Sequence, residues 1–112
     1  MSLYDYLVSK RISDESRAYA DLIAAAAAAA PDEASAEALG RALGRRAGDY
    51  AVACSMASGT PGDTFAALLM AVLRRADKAD TEALGRAFPC VCEEFYARYQ
   101  APGGDLGESG RG

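Results

Sequence analysis

Apolar residues recur at steps of three and four along most of the chain, which is the spacing of one face of an α-helix. The longest such face consists of Phe65, Leu68, Leu69, Val72, Leu73 and Ala76. Asp63 or Thr64 directly precedes it, and either side chain can accept a hydrogen bond from the free N–H groups of a first helical turn. The pattern therefore predicts a helix that begins at this cap and buries its apolar face.

Three further helices are predicted in the N-terminal part of the chain. The first extends from Leu3 to about Lys10, and Ser13, which is followed by two acidic residues, is a suitable N-cap for the second. Pro31 ends the second helix because proline cannot donate the next backbone hydrogen bond. The third helix begins at Asp32 and carries apolar residues at least as far as Ala47.

The C-terminal part continues the helical pattern in shorter pieces. Residues 58–62 have the sequence Ser-Gly-Thr-Pro-Gly, which breaks the pattern before the strongest helix. After that helix, Asp80 or Thr81 is expected to start a short helix. Pro89 marks its junction with a last helix, because proline is well tolerated at the first helical position. The region from residue 80 onwards is therefore expected to form two helical pieces.

The chain as a whole is predicted to be all-α, a small helical bundle of about five to six helices. Its 112 residues are an ordinary length for one domain, which we expect to cover residues 1–100. Residues 101–112 are rich in glycine and contain one large apolar side chain, Leu106. That is too little to offset the entropy of ordering the segment, so a flexible C-terminal tail is expected.

A hexapeptide repeat divides the chain into two similar halves. Residues 37–42, with the sequence Glu-Ala-Leu-Gly-Arg-Ala, return unchanged as residues 82–87. The apolar pattern around the two copies also agrees, over approximately residues 19–53 and 65–98. We predict two repeated helical hairpins that pack together, with the leucine of each hexapeptide in an equivalent core position. The alternative is chance similarity within an alanine-rich sequence.

Three segments of the C-terminal half carry a family resemblance. They are residues 65–77 (FAALLMAVLRRAD), 87–89 (AFP) and 98–104 (RYQAPGG). Together they resemble small uncharacterised helical proteins of phages and other mobile genetic elements. The resemblance implies a helical fold and an accessory role in such an element, and it brings no catalytic residue with it.

The composition disfavours several classes of function. The net charge is −4, so the long-range field of the protein repels phosphate backbones and acidic membrane surfaces. Histidine is absent, which removes the commonest general base and the commonest metal ligand. We therefore predict a protein that is not an enzyme and that uses no cofactor or metal, and we regard nucleic acid as a disfavoured partner.

The sequence also indicates where the protein works. No apolar run approaches the ~20 residues of a membrane-spanning helix, and the N-terminus lacks the basic and apolar regions of a secretory signal. The cysteines are Cys54, Cys90 and Cys92, an odd number without the spacing of a usual zinc site. These features predict a cytoplasmic protein with reduced thiols and no membrane partner.

Two basic clusters are candidate contacts for a polyanion. They consist of Arg41, Arg45 and Arg46 in one half, and of Arg74, Arg75 and Lys78 in the other. The alternative is that these residues are solvated charges that complement the negative C-terminal ends of helices. This alternative is favoured because the acidic remainder of the chain weakens any phosphate-attracting field.

A row of glycines lies on one side of the third predicted helix. Gly40, Gly44 and Gly48 are spaced four apart, and each costs up to ~1 kcal/mol relative to alanine in a helix interior. We expect a close contact with another helix, or with a second copy in a homo-oligomer, to compensate for this cost. Whether the helix kinks at Gly48 is left open by the pattern.

The function that fits these observations best is a non-catalytic protein-interaction module that binds another protein through an apolar and acidic helical surface. An accessory or host-directed inhibitor protein of a mobile element is the expected setting. The alternative is a helix-turn-helix-like nucleic-acid-binding regulator that uses the two basic clusters. A third class, an enzyme whose site has no recognisable motif, is also left open.

Overall fold

The computed structural model describes residues 2–14, 18–43 and 64–107. Within these ranges the chain forms six α-helices and one 3₁₀ turn, and it contains no β-strand. The helices are α1 (Leu3–Asp14), α2 (Tyr19–Ala29), α3 (Glu33–Ala42), α4 (Phe65–Arg75), α5 (Lys78–Ala87) and α6 (Pro89–Gln100), followed by the 3₁₀ turn Pro102–Gly104. The predicted all-α bundle is confirmed.

Helix α1 is longer than the sequence pattern predicted. It continues past Lys10 to Asp14, and Ile12 in its last turn is 1% exposed. Ser13 is therefore not the N-cap of α2, and its carbonyl oxygen accepts a hydrogen bond of 2.6 Å from Arg75 Nη2. The expected cap was wrong because burial of Ile12 and the arginine contact extend α1 through a locally polar stretch. Helix α2 instead begins after Ala18, which provides no side-chain cap.

The predicted start of α3 at Asp32 is confirmed, and of the two candidate caps for α4 the structure has Thr64. Asp32 Oδ1 accepts a hydrogen bond of 2.8 Å from the Ser35 backbone N–H, and Thr64 Oγ1 accepts one of 3.1 Å from Ala67. Helix α2 ends at Ala29, ahead of Pro31 as predicted. The predicted continuation of α3 towards Ala47 lies outside the described residues.

Helix α5 begins earlier than expected. Its N-cap is Asp77, whose Oδ1 accepts a hydrogen bond of 2.9 Å from the Asp80 backbone N–H, so Asp80 lies inside the first turn. Neither Asp80 nor Thr81 starts the helix, because Asp77 offers a good cap three residues upstream of a buried position. Pro89 is the first residue of α6, which confirms the predicted junction between two helices.

Helix α4 lies at the centre of the described core. Every residue from Ala67 to Leu73 is buried, because α1, α2 and α6 all pack against α4. Helix α2 contributes its alanine-rich face, with Leu22 and Ile23 fully buried. The larger members of the core cluster are Tyr6, Ile12, Leu22, Ile23, Leu39, Leu43, Leu68, Leu69, Met70, Val72, Leu73, Leu84, Cys92 and Phe95.

The first part of the expected tail packs on the helices. Gly104 is buried against the ring of Tyr6, and its carbonyl oxygen accepts a hydrogen bond of 3.0 Å from Arg98 Nη1. A Cβ at Gly104 would overlap the Tyr6 ring, and its φ of +75° also favours glycine. Backbone hydrogen bonding and glycine packing therefore hold the 3₁₀ turn in place, two interactions that a count of apolar side chains does not include. Residues 108–112 lie outside the described residues.

None of the helices in the described ranges has the length and apolar content needed to cross a membrane.

Candidate interaction surfaces

The two copies of the hexapeptide form matching helices. Each ends a ten-residue helix that begins after an aspartate N-cap, Asp32 for α3 and Asp77 for α5. At the C-terminal ends, the backbone N–H of Leu43 donates to the carbonyl of Leu39, and that of Phe88 donates to that of Leu84. Both hexapeptide leucines are 0% exposed. The superposition of the two complete hairpins, and the single domain over residues 1–100, stay predictions.

Helices α3 and α5 also contact each other, and an open groove of about 430 Å³ lies between them. Its lining consists of Ala38, Arg41, Ala42, Ala83, Arg86 and Ala87. Each residue from one helix has its hexapeptide equivalent in the lining from the other helix. The groove is therefore formed by the same positions of both copies, with four half-buried alanines as its apolar part and two exposed arginines as its charged part.

Both arginines of this groove have exposed side chains. Arg41 and Arg86 are both exposed, and within the described part of the chain neither forms an ion pair or hydrogen bond. A glutamate precedes each by four residues, Glu37 and Glu82, at the spacing that permits an ion pair along a helix. Those pairs do not form among the described residues, and each exposed guanidinium group carries five N–H donors in a planar arrangement.

The described members of the predicted basic clusters differ in exposure. Arg74 and Arg75 are half-buried, with Arg74 Cζ 6.0 Å from the centroid of the Tyr99 ring and Arg75 bonded to the end of α1. The Nε atom of Arg74 is buried without a hydrogen-bond partner among the described residues. Lys78 is exposed at the start of α5. Arg45 and Arg46 lie outside the described residues.

Arg86 was missed by sequence reasoning although a signal for it existed. It stands in the hexapeptide at the position of Arg41, which the first basic cluster included. Considering the repeat and the charges together would have paired these two residues. Their shared groove became visible only once α3 and α5 were placed against each other.

The glycine row can be compared with one equivalent position. Gly40 lies within α3, whereas Gly44 and Gly48 lie outside the described residues. Gly85 is the hexapeptide equivalent of Gly40, and a Cβ at Gly85 would meet no atom within 4 Å. Gly85 is thus not required by a close helix contact. Close packing at Gly40, Gly44 and Gly48 stays a prediction.

Exposed aromatic side chains lie on α6. Tyr96 is 45% exposed and Tyr99 is 62% exposed, and both rings contact the buried ring of Phe95 at centroid distances of 5.5 and 5.9 Å. Tyr6 of α1 contacts Phe95 from the core side at 6.2 Å. The exposed rings are therefore the outer members of an aromatic cluster anchored in the core.

Other large apolar side chains are exposed on the neighbouring elements. Tyr4 and Leu7 lie three residues apart on the outward face of α1 and are 68% and 47% exposed, and Leu106 follows the 3₁₀ turn at 45%. With Tyr96 and Tyr99 they complete the large hydrophobic side chains that are exposed within the described ranges. We use the name aromatic face for this set of exposed side chains, which consists of Tyr4, Leu7, Tyr96, Tyr99 and Leu106.

The two buried charged residues of the described core, Asp80 and Arg98, have hydrogen-bond partners. Tyr19 donates a hydrogen bond of 3.0 Å from its hydroxyl to Asp80 Oδ2, which links α2 to α5. Arg98 is 2% exposed, and its Nε lies 3.1 Å from Glu94 Oε2 while Nη1 holds the 3₁₀ turn. These contacts explain why charged residues occur inside a small helical core: each is hydrogen-bonded.

The thiols are divided between surface and core. Cys90 is exposed, whereas Cys92 is buried, and desolvation raises the pKa of the Cys92 thiol. Cys54 lies outside the described residues. Within the part of the chain that the structure describes, no group of three or more His, Cys, Asp or Glu side chains is arranged to hold a metal ion.

Comparison with known proteins adds no assignment to these surfaces. The chain matches no protein-family model, and no curated protein or solved structure is similar to it at a significant level. A function must therefore be inferred from the groove between α3 and α5 and from the aromatic face.

Proposed function

We propose that this protein is a non-catalytic interaction module that binds another protein through the aromatic face. The observation that carries the proposal is the exposure of three tyrosines, Tyr4, Tyr96 and Tyr99, each 45% or more. Tyrosine is enriched in protein interfaces because its ring buries a large apolar area while its hydroxyl can stay hydrogen-bonded. Among interface residues it is also one of the types that most often dominate the binding energy.

The anchoring of the rings supports the same function. Tyr96 and Tyr99 both rest on Phe95, and the Arg74 guanidinium lies over the Tyr99 ring. Side chains held by such contacts have less rotamer freedom left to lose when a partner covers them. An interface built on these rings is thus partly organised before binding.

The proposed cellular setting is that of an accessory or host-directed inhibitor protein of a mobile element. Its support is the resemblance of the C-terminal segments to small helical proteins of such elements. The odd number of cysteines supports a reducing, cytoplasmic location. A helix-turn-helix-like nucleic-acid binder has less support, because Arg74 and Arg75 are engaged with Tyr99 and α1 and the net charge is −4.

The proposal is tested by capture of binding proteins from a host lysate on the immobilised protein, followed by affinity measurement with the captured partner. Tyr99→Ala and Tyr4→Ala are expected to weaken binding by about 1–2 kcal/mol each, as central tyrosines of an interface do. Glu33→Ala is the control, since Glu33 is exposed at the start of α3, a helix that contributes no residue to the aromatic face. Equal affinities for all three variants, or capture of nucleic acid with a steep salt dependence, would contradict the proposal.

A further inference from the structure

The groove between α3 and α5 has a chemistry that differs from that of the aromatic face. Its apolar part consists of methyl groups, so a partner can approach the two helix backbones closely. Its charged part consists of two arginines contributed by equivalent positions of α3 and α5. A ligand in this groove would meet small apolar side chains along the groove and a positive charge from each of the two helices.

This combination favours a helical segment as the occupant. Alanines spaced four apart, Ala38 and Ala42 on α3 and Ala83 and Ala87 on α5, form one set of small side chains on each helix. Side-chain ridges of a third helix can fit between such sets, as in ordinary helix packing at interaxial distances of about 8–10 Å. Amphipathic helices bind to grooves on helical proteins in this way.

The two arginines favour a bound helix that carries negative charge. Arg41 and Arg86 have no ion-pair partner among the described residues, and a guanidinium group binds carboxylates in a planar, two-bond geometry. Phosphate of a nucleic acid is the less favourable anion here. Polyanion binding depends on many phosphate contacts, whereas the groove provides two cations on a protein of net charge −4.

We propose that this groove binds an amphipathic helix of a protein partner, with small apolar residues of that helix against the four alanines and its Asp or Glu carboxylates paired with Arg41 and Arg86. The inference rests on the proposed function only in that the occupant is a protein. It uses residues that the aromatic face does not contain, so the two can fail separately.

The test uses a displayed library of helical peptides of about 18 residues, long enough for several helical turns. Peptides are selected on the full-length protein, and their affinities are then measured for the wild type and for Arg41→Gln, Arg86→Gln and the double variant. Lys78→Gln is the matched control, because it removes one positive charge from the start of α5 without changing the groove. Circular dichroism confirms that the exposed substitutions leave the helices folded.

Selected peptides are expected to carry acidic residues beside a stripe of Ala, Gly or Ser. Each single arginine variant should weaken binding about three- to fivefold and the double variant about tenfold, the effect of losing exposed ion pairs, with Lys78→Gln close to wild type. Failure to select binders, peptides without acidic enrichment, or affinities that the arginine variants leave unchanged would each overturn the proposal. Preferential binding of duplex DNA through the same arginines would also overturn it. Tyr99→Ala should leave peptide binding unchanged, which separates this result from a failure of the aromatic face.

Discussion

Helices α3 and α5 end in the same six residues and differ at three of the four positions that come before them. Their aspartate caps, their lengths and the burial of Leu39 and Leu84 agree. The first turns differ: Asp80 of α5 is 2% exposed and accepts a hydrogen bond from Tyr19, whereas the equivalent Ser35 of α3 is half-buried. The caps and the burial of the two leucines are therefore shared, whereas the hydrogen bond from the first turn of α5 to α2 is not shared by α3 among the described residues.

The largest expected effect comes from the hexapeptide leucines. Leu39→Ala and Leu84→Ala should each lower the free energy of unfolding by ~2–5 kcal/mol, because both side chains are fully buried and their removal leaves a cavity. Chemical denaturation measures the two values. Leu7→Ala, at a leucine that is 47% exposed, is the control and should change stability by about 0.5 kcal/mol or less. A large effect at one hexapeptide leucine alone would show that the copies are not equivalent in the core.

The next largest effect concerns the first turns of α3 and α5, which should differ in how much their contacts contribute to stability. Tyr19→Phe should destabilise the fold by ~1–3 kcal/mol, because it removes a hydrogen-bond donor from a buried carboxylate. Ser35 is the residue of α3 that corresponds to Asp80, and Ser35→Ala should lower the free energy of unfolding by about 0.5 kcal/mol or less. Thermal denaturation of both variants measures this difference. Equal losses of stability would mean that the hydrogen bond from Tyr19 to Asp80 contributes no more to stability than the Ser35 side chain does.

The two hexapeptide glycines, Gly40 and Gly85, are expected to respond differently to substitution by alanine. Gly85→Ala should raise stability by ~0.5–1 kcal/mol, because the new Cβ meets no atom and alanine is the better helix former. If the glycine row of α3 packs closely as predicted, Gly40→Ala should instead lower stability. The midpoints of urea-induced unfolding of the two variants measure these changes. Equal stabilisation by both substitutions would contradict close packing at Gly40.

The smallest expected effect concerns the cap of α3 at low pH. The hydrogen bond from the Ser35 backbone N–H lowers the pKa of Asp32, so the charged cap stabilises the folded state above the ordinary aspartate pKa. This contribution should be lost as the pH falls from that value through the lowered pKa. Asp32→Asn keeps the capping oxygen but cannot titrate. Melting temperatures measured between neutral and acidic pH should therefore fall slightly less for the variant, and identical pH profiles would contradict the role of Asp32.

Local sequence determined much of this fold. The period of the apolar residues predicted an all-α chain, and the caps Asp32 and Thr64 and the breaks at Pro31 and Pro89 were correct. Such signals act within about one helical turn, since a cap bonds to an N–H two or three residues away. They could therefore be identified without knowing which helices would become neighbours.

The contacts between residues of different helices depended on the tertiary structure. The extension of α1 to Asp14 depends on burial of Ile12 and on Arg75, a residue 62 positions from the Ser13 carbonyl that it binds. Gly104 packs on Tyr6 although nothing in its local pattern favours order. The repeat was visible in the sequence, but the pairing of Arg41 with Arg86 across a groove was not. Periodicity specifies which face of a helix is buried, and only the packing of those faces determines which side chains, distant along the chain, meet.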